Sequence, residues 1–170
     1  YKTPDMKLSS DVMTPEVLWS FGRIGGVSVS PDQKSLVYDV TYFNKEEDRS
    51  YSDIYVMNLA DGKSKQLTDT DYKEFGETWT PDGKIAFMSS KSGSVQLWEM
   101  NADGSGLTQL TNVEGGIGGF IFSPDKSRLL FLKDVKLEQD VHDLHPDLPK
   151  ANARLINDQV YRHWNDWVEA

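Results

Sequence analysis

The chain has 170 residues, no cysteine, and 27 acidic against 18 basic side chains, for a formal charge of −9. That length suits one ordinary domain with a sizeable core, and 38% hydrophobic residues with 11% aromatics is too rich for a disordered chain. The missing cysteine excludes disulfide scaffolds, thiol nucleophiles and thiolate metal sites; the acidic balance argues against a nucleic-acid partner, and no apolar run approaches the ~20 residues of a membrane span.

The chain starts at Tyr1 without an initiating Met or a basic-then-apolar leader, so a processed or trimmed start is expected. The first element, Thr14-Pro15-Glu16-Val17-Leu18-Trp19-Ser20-Phe21, reads as a capped helical turn, with Thr14 as cap and Pro15 in the first turn. From there the chain repeats itself. Val29-Ser30-Pro31-Asp32 is echoed by Trp79-Thr80-Pro81-Asp82 and again by Phe122-Ser123-Pro124-Asp125, the prolines lying 50 and then 43 residues apart. Asp53-Ile54-Tyr55-Val56-Met57-Asn58-Leu59-Ala60-Asp61-Gly62 pairs with Val95-Gln96-Leu97-Trp98-Glu99-Met100-Asn101-Ala102-Asp103-Gly104, and each echo ends in Leu-Thr, at Leu67-Thr68 and Leu110-Thr111.

Each unit reads as four short strands, a to d. A hydrophobic residue precedes (Ser/Thr)-Pro-Asp, a turn signal. A β-rich run follows (Leu36 to Val40, Ile85 to Met88, Leu129 to Leu132). A third run meets Asp-Gly, a strong hairpin signal, and the fourth closes on Gln-Leu-Thr. Four antiparallel strands at this period match a β-propeller blade of ~40–45 residues. The alternative is a β-sandwich with coincidentally similar hairpins. The expected fold is therefore all-β: a partial β-propeller of about two and a half four-stranded blades. Its parts are an N-terminal lead-in over 1–23, blade one over 24–68, blade two over 72–111, and the first two strands of blade three over 118–133. Residues 134–170 form a partly helical b–c insertion of blade three. Because propellers usually close with ~4–8 blades, the chain is expected to be a fragment or to close by assembling.

In such blades the b–c loops and the d–a crossings share one rim. The seven extra residues of the first period are expected in its b–c loop, Thr41 to Ser52, which carries Lys45-Glu46-Glu47-Asp48-Arg49. In the tail, a helix is expected to start at Asp147-Leu148-Pro149-Lys150 and run to about Tyr161. Arg162, His163, Trp164 and Trp167 after it read either as an anchor for docking, since aromatics and Arg dominate buried contacts, or as packing on the tail's own blade. Trp79, Phe87, Trp98, Phe120, Phe122 and Phe131 fall on strand positions and are expected to pack between blades.

The SPDG…IYVMN-ADGSG…LT repeat resembles the blades of TolB-like proteins and of serine peptidases of the prolyl oligopeptidase family. Thr14-Pro15-Glu16-Val17-Leu18-Trp19 with Arg23-Ile24-Gly25-Gly26, and Tyr161-Arg162-His163-Trp164-Asn165-Asp166-Trp167, are similar to stretches of its dipeptidyl-peptidase and acylaminoacyl-peptidase branch. The resemblance implies a longer parent in which the propeller covers a catalytic α/β-hydrolase domain and restricts access to short peptides. It also implies export, for instance to the periplasm. This chain offers no Gly-X-Ser-X-Gly elbow and no defensible Ser-His-Asp set, so it is expected to be non-catalytic itself. The other reading is a TolB-like periplasmic protein-binding propeller with no enzymatic activity.

In some members of that peptidase family, two propeller glutamates hold the substrate's α-ammonium. Glu46 and Glu47 are the pair available here, although the surrounding motif differs; a solvated, salt-bridged loop is the alternative. His142-X-X-His145 with His163 has no recognised zinc spacing, and Asp69-Thr70-Asp71 and Asp103-Gly104 lack the later bidentate Glu of a calcium loop. No metal and no cofactor is expected. The expected partners are the catalytic domain, its short peptide substrates, and a second copy pairing through the unfinished blade edge.

Overall fold

The computed structural model describes residues 11–136, 139–151 and 153. The chain divides into two compact units, Tyr1–Lys133 and Asp134–Ala170. The first opens with helix α1 (Pro15–Ser20), where the Thr14 hydroxyl accepts from the Val17 amide at 3.3 Å and proline occupies the first turn, as its fixed φ favours. Three antiparallel sheets follow. The first has the order β1 (Arg23–Val29), β2 (Ser35–Asn44), β3 (Arg49–Asn58), β4 (Ser64–Gln66). The second has β5 (Glu74–Trp79), β6 (Ile85–Ser89), β7 (Gln96–Met100), β8 (Thr108–Gln109), and the third pairs β9 (Gly119–Phe122) with β10 (Leu129–Leu132). This is the sequential strand order of propeller blades.

The repeated motifs are the hydrogen-bonding parts of these sheets. In each β-turn between strands a and b, the Ser or Thr hydroxyl donates to the Asp carboxylate at 2.6 Å: Ser30 to Asp32, Thr80 to Asp82, Ser123 to Asp125. The same oxygen accepts amides from the far side, from Ser35 at 2.9 Å, Lys84 at 3.0 Å and Arg128 at 2.9 Å. Each turn needs a left-handed residue, supplied by Gln33 (φ 60°), Gly83 (φ 79°) and Lys126 (φ 57°). Only the second uses glycine, so the first and third carry backbone strain. The Leu-Thr landmark extends the c–d ladder past its last strand pair. The amides of Leu67 and Leu110 donate to the carbonyls of Ile54 and Leu97, while the hydroxyls of Thr68 and Thr111 accept the amides of Ile54 and Leu97, both at 2.9 Å.

Two buried clusters hold the unit together. Val37, Ile54, Ile85, Phe87 and Met100 form one, with Leu67, Trp79 and Trp98 packed against it. Ala86, Met88, Leu97 and Ile117 form the other, joined by Phe120, Phe122 and Leu129. Phe131 departs from its expected packing role: it is 39% exposed, because among the described residues no third strand follows β10. The expected loop from Thr41 to Ser52 also differs. The β2–β3 ladder runs through it in register, from Thr41↔Ser52 to Asn44↔Arg49, leaving a tight turn at 45–48. The extra residues lengthen a hairpin, which satisfies backbone groups that a loop would leave to water.

In the second unit, α2 (Val141–Leu144) is capped by Asp140, whose carboxylate accepts from His142 and Asp143 while Asp143 returns a bond to the Asp140 amide. Residues 146–150 make turns instead of starting a helix, and the helix expected to Tyr161 lies, apart from Ala151 and Ala153, outside the described residues. Arg162, His163, Trp164 and Trp167 lie outside them too.

Candidate functional site

The lengthened hairpin borders a cleft of about 750 Å³ lined by Trp19, Phe43, Lys45, Arg49, Lys73 and Ser90 together with Asn44, Asp48 and Ser50. Each contributor is placed by a local rule. Lys73 leads into β5 from the d–a crossing and is tied to the hairpin by a parallel bridge to Ser52. Ser90 follows β6 in the b–c turn of the second sheet. Trp19 comes from α1, meeting Phe43 edge-to-face at 5.1 Å and 71°. Arg23, outside the lining, stacks on both rings, with its guanidinium 5.1 Å from the Trp19 ring and 4.4 Å from the Phe43 ring.

The cleft lining carries Lys45, Arg49 and Lys73 against one carboxylate, Asp48, in a chain of −9 overall. Lys45 is 3.6 Å from Glu16, and Arg49 lies over the Tyr51 ring at 5.3 Å. Positive charge beside aromatic walls suits an anionic or carboxylate-bearing group next to an apolar one. Residues 1–133 contain no histidine, so Ser50 and Ser90 have no imidazole within their own unit.

Glu46 and Glu47 sit at the hairpin tip, outside the cleft lining. Their amides donate to the Asn44 side-chain oxygen at 3.0 and 3.2 Å, an Asx turn completed by Asp48 at φ 50°. Both side chains are exposed. The Glu47 carboxylate accepts from the Tyr51 hydroxyl, and this bond holds the Tyr51 proton above its ordinary value. The structure therefore does not bring the two carboxylates together in a pocket. Sequence reasoning named Lys45, Asp48 and Arg49 as a charged loop but missed Phe43, Lys73 and Ser90. Rim geometry carried the missing signal, since b–c turns and d–a crossings share one rim and both Lys73 and Ser90 lie on such segments.

Comparison with known proteins decides the family. The model of the TolB beta propeller domain matches residues 15–163. The chain belongs to that family. Among curated proteins, this TolB-type propeller chain is 45% identical over 158 residues to Dipeptidyl-peptidase 5 of Porphyromonas gingivalis, covering 92% of this chain and 23% of that protein. Among solved structures, a putative TolB from Agrobacterium tumefaciens superposes with a TM-score of 0.52 at 28% identity, over 65% of this chain and 37% of that one. The acylaminoacyl peptidase of Pyrococcus horikoshii gives 0.56 at 23% identity, over 73% of this chain and 20% of that one, a likeness of fold. The chain thus spans about a quarter of the length of the curated peptidase it matches. No described helix is long and apolar enough to cross a membrane.

Proposed function

We propose that this chain is the N-terminal propeller portion of an exported serine peptidase that hydrolyses short peptides of the dipeptidyl or acylaminoacyl type. The observation that carries the reading is the 45% identity to a dipeptidyl-peptidase over 92% of this chain. In it, the chain is non-catalytic: it restricts substrate access and docks on an α/β-hydrolase domain supplied by the same polypeptide. The cleft between Trp19, Phe43, Arg49 and Lys73 is the recognition surface on its rim. Glu46 and Glu47 stand beside it as groups for a peptide's free amino end, and Arg162, His163, Trp164 and Trp167 serve as the docking anchor.

The test is hydrolysis of chromogenic dipeptidyl substrates by the full-length polypeptide that carries this chain. Turnover is expected there and is expected to be absent from the 170-residue chain alone. Arg49→Ala with Lys73→Ala should raise KM with kcat nearly unchanged, the pattern of lost binding, and Glu46→Gln with Glu47→Gln should do so for substrates with a free amino end only. A full-length polypeptide with no peptidase activity and a stable protein partner would instead favour a TolB-like binding propeller.

A further inference from the structure

The three sheets can be aligned residue by residue from their ladders, since Val29↔Leu36, Trp79↔Ile85 and Phe122↔Leu129 are equivalent pairs. On that alignment Asp39 occupies the place of Met88 and Leu132, and Glu77 the place of Val27 and Phe120. Two positions that the repeat fills with apolar side chains carry carboxyl groups here, and the two meet across the seam between the first and second sheets. Both are 5% exposed. The Gly26 amide donates to Asp39 at 3.0 Å, and a Cβ on Gly26 would stand 3.1 Å from a Glu77 oxygen, so both carboxyls converge on one backbone unit. Gly25 is equally constrained: a Cβ there would lie 2.2 Å from Asp39. The Gly25-Gly26 pair, in the bulge between Ile24 and Val27, is what makes room for them.

Among the described residues neither carboxyl oxygen of Glu77 has a well-formed hydrogen bond, although its own amide and that of Asp39 favour its ionised form. Among the described residues the charged groups packed around it offer no counter-ion. β1 contributes only Arg23, whose guanidinium is engaged with Trp19 and Phe43 at its far end. β2 presents Asp39; β3 presents Asp53, which bears on Glu74, and Arg49, which is engaged with the Tyr51 ring; and β6 (Ile85–Ser89) carries no ionisable side chain. Two buried carboxylates without a cation cannot both stay ionised at low cost.

We propose that Asp39 and Glu77 share one proton, forming a carboxyl–carboxylate hydrogen bond that latches the first sheet to the second and loosens when that proton is lost. The Gly26 amide already donates to Asp39, so Glu77 is the donor of the shared bond. Burial pushes the Glu77 carboxyl up, its own amide and that of Asp39 draw it part of the way back, and the adjacent Asp39 carboxyl raises it again, to about 7. A folded-state value raised above the ordinary 4.5 gives a latch that is complete below pH ~4.5, weakens as the pH climbs through about 7, and is open beyond it.

Hydrogen exchange of the β1 and β5 amides, corrected for intrinsic rates, reads the latch directly in the wild-type protein between pH 5 and pH 8. Protection of these strands should fall on the order of 10- to 100-fold with an inflection near 7. Glu77→Gln, whose amide can donate permanently to Asp39, should hold protection flat. Asp39→Asn should move the inflection down toward an ordinary carboxyl value. Parallel pH dependence in wild type and Glu77→Gln, or an unmoved inflection in Asp39→Asn, would overturn the proposal. Should Glu77→Gln not fold, the infrared carbonyl band of a protonated carboxyl group decides in the wild type: present at pH 6 and lost by pH 8 if the proton is shared, absent at both if it is not.

Discussion

Along β1 and β5, where the first sheet meets the second, the polar contacts are neutral or acidic: the Trp79 indole donates to the Ser28 carbonyl at 3.1 Å, the Trp79 amide to the Ser28 hydroxyl at 3.2 Å, and Glu77 faces Asp39. Lys65 on β4, a cation between these sheets, donates to the Asp103 carbonyl away from both strands. Where the second meets the third, the link is ionic. Lys126, in the β9–β10 turn, reaches both oxygens of Asp82 at 2.7 and 2.9 Å and also bonds Glu99, which takes Lys84 at 2.8 Å on its other oxygen. Both seams are copies of one repeat, yet they set their carboxyl groups in opposite directions. The Lys126 and Thr80 hydrogen bonds hold Asp82 down at about 2. Burial would raise Glu99, but Lys126 and Lys84 more than offset it and leave it below its ordinary value. At the first seam, Glu77 rises to about 7. A repeat fixes backbone geometry, and the few positions where its side chains depart from the pattern decide how each seam responds to pH.

The largest expected difference between the seams is in packing. Phe87 and Phe131 are equivalent in the repeat, but one is fully buried and the other 39% exposed. Phe87→Ala should cost ~3–5 kcal/mol in urea unfolding, whereas Phe131→Ala should cost under about 1 kcal/mol. Equal losses would mean that further chain or a second copy covers β10. Next comes Glu77→Gln at pH 8, expected to stabilise the protein by on the order of 2 kcal/mol while leaving it unchanged near pH 4.5. The sign follows from the raised value: wild type gives up stability as the pH rises from 4.5 to about 7, and the variant does not.

A smaller effect is expected at the second seam. Lys126→Met should cost about 1 kcal/mol at pH 7, fading in high salt because Asp82 is half exposed. It should also fade in acid: with Asp82 held near 2, the stabilisation present above pH ~4 is lost as the pH falls through about 2. The smallest effect tests the shared turn. Gln33→Gly should gain about 0.5–1 kcal/mol by relieving the left-handed strain that Gly83 avoids at the equivalent place.

Much of this architecture was legible in the sequence because its signals are local. The three Pro-Asp turns, the Thr14 cap and the Leu-Thr closures each depend on residues a few positions apart. The limits have equally specific causes. The hairpin over Thr41–Ser52 reads as a loop in the sequence because the seven extra residues of the first period fall there, yet Tyr42 and Phe43 pair in register with Tyr51 and Ser50. The cleft escaped because Trp19, Phe43, Lys73 and Ser90 come from four separate segments. Asp39 and Glu77 escaped because their meeting appears only once the ladders fix which strand b residue faces which strand a residue in the next sheet. A single-residue change of register would have turned either carboxyl to the other face.

The difference between the seams can be read in one experiment, hydrogen exchange of wild-type β1 and β9 amides followed together from pH 5 to pH 8. The shared-proton seam predicts that β1 loses protection across that range with an inflection near 7, while β9, held by groups ionised throughout it, keeps its protection. Loss of protection in β9 in step with β1, or constant protection in both, would contradict opposite electrostatics at the two seams.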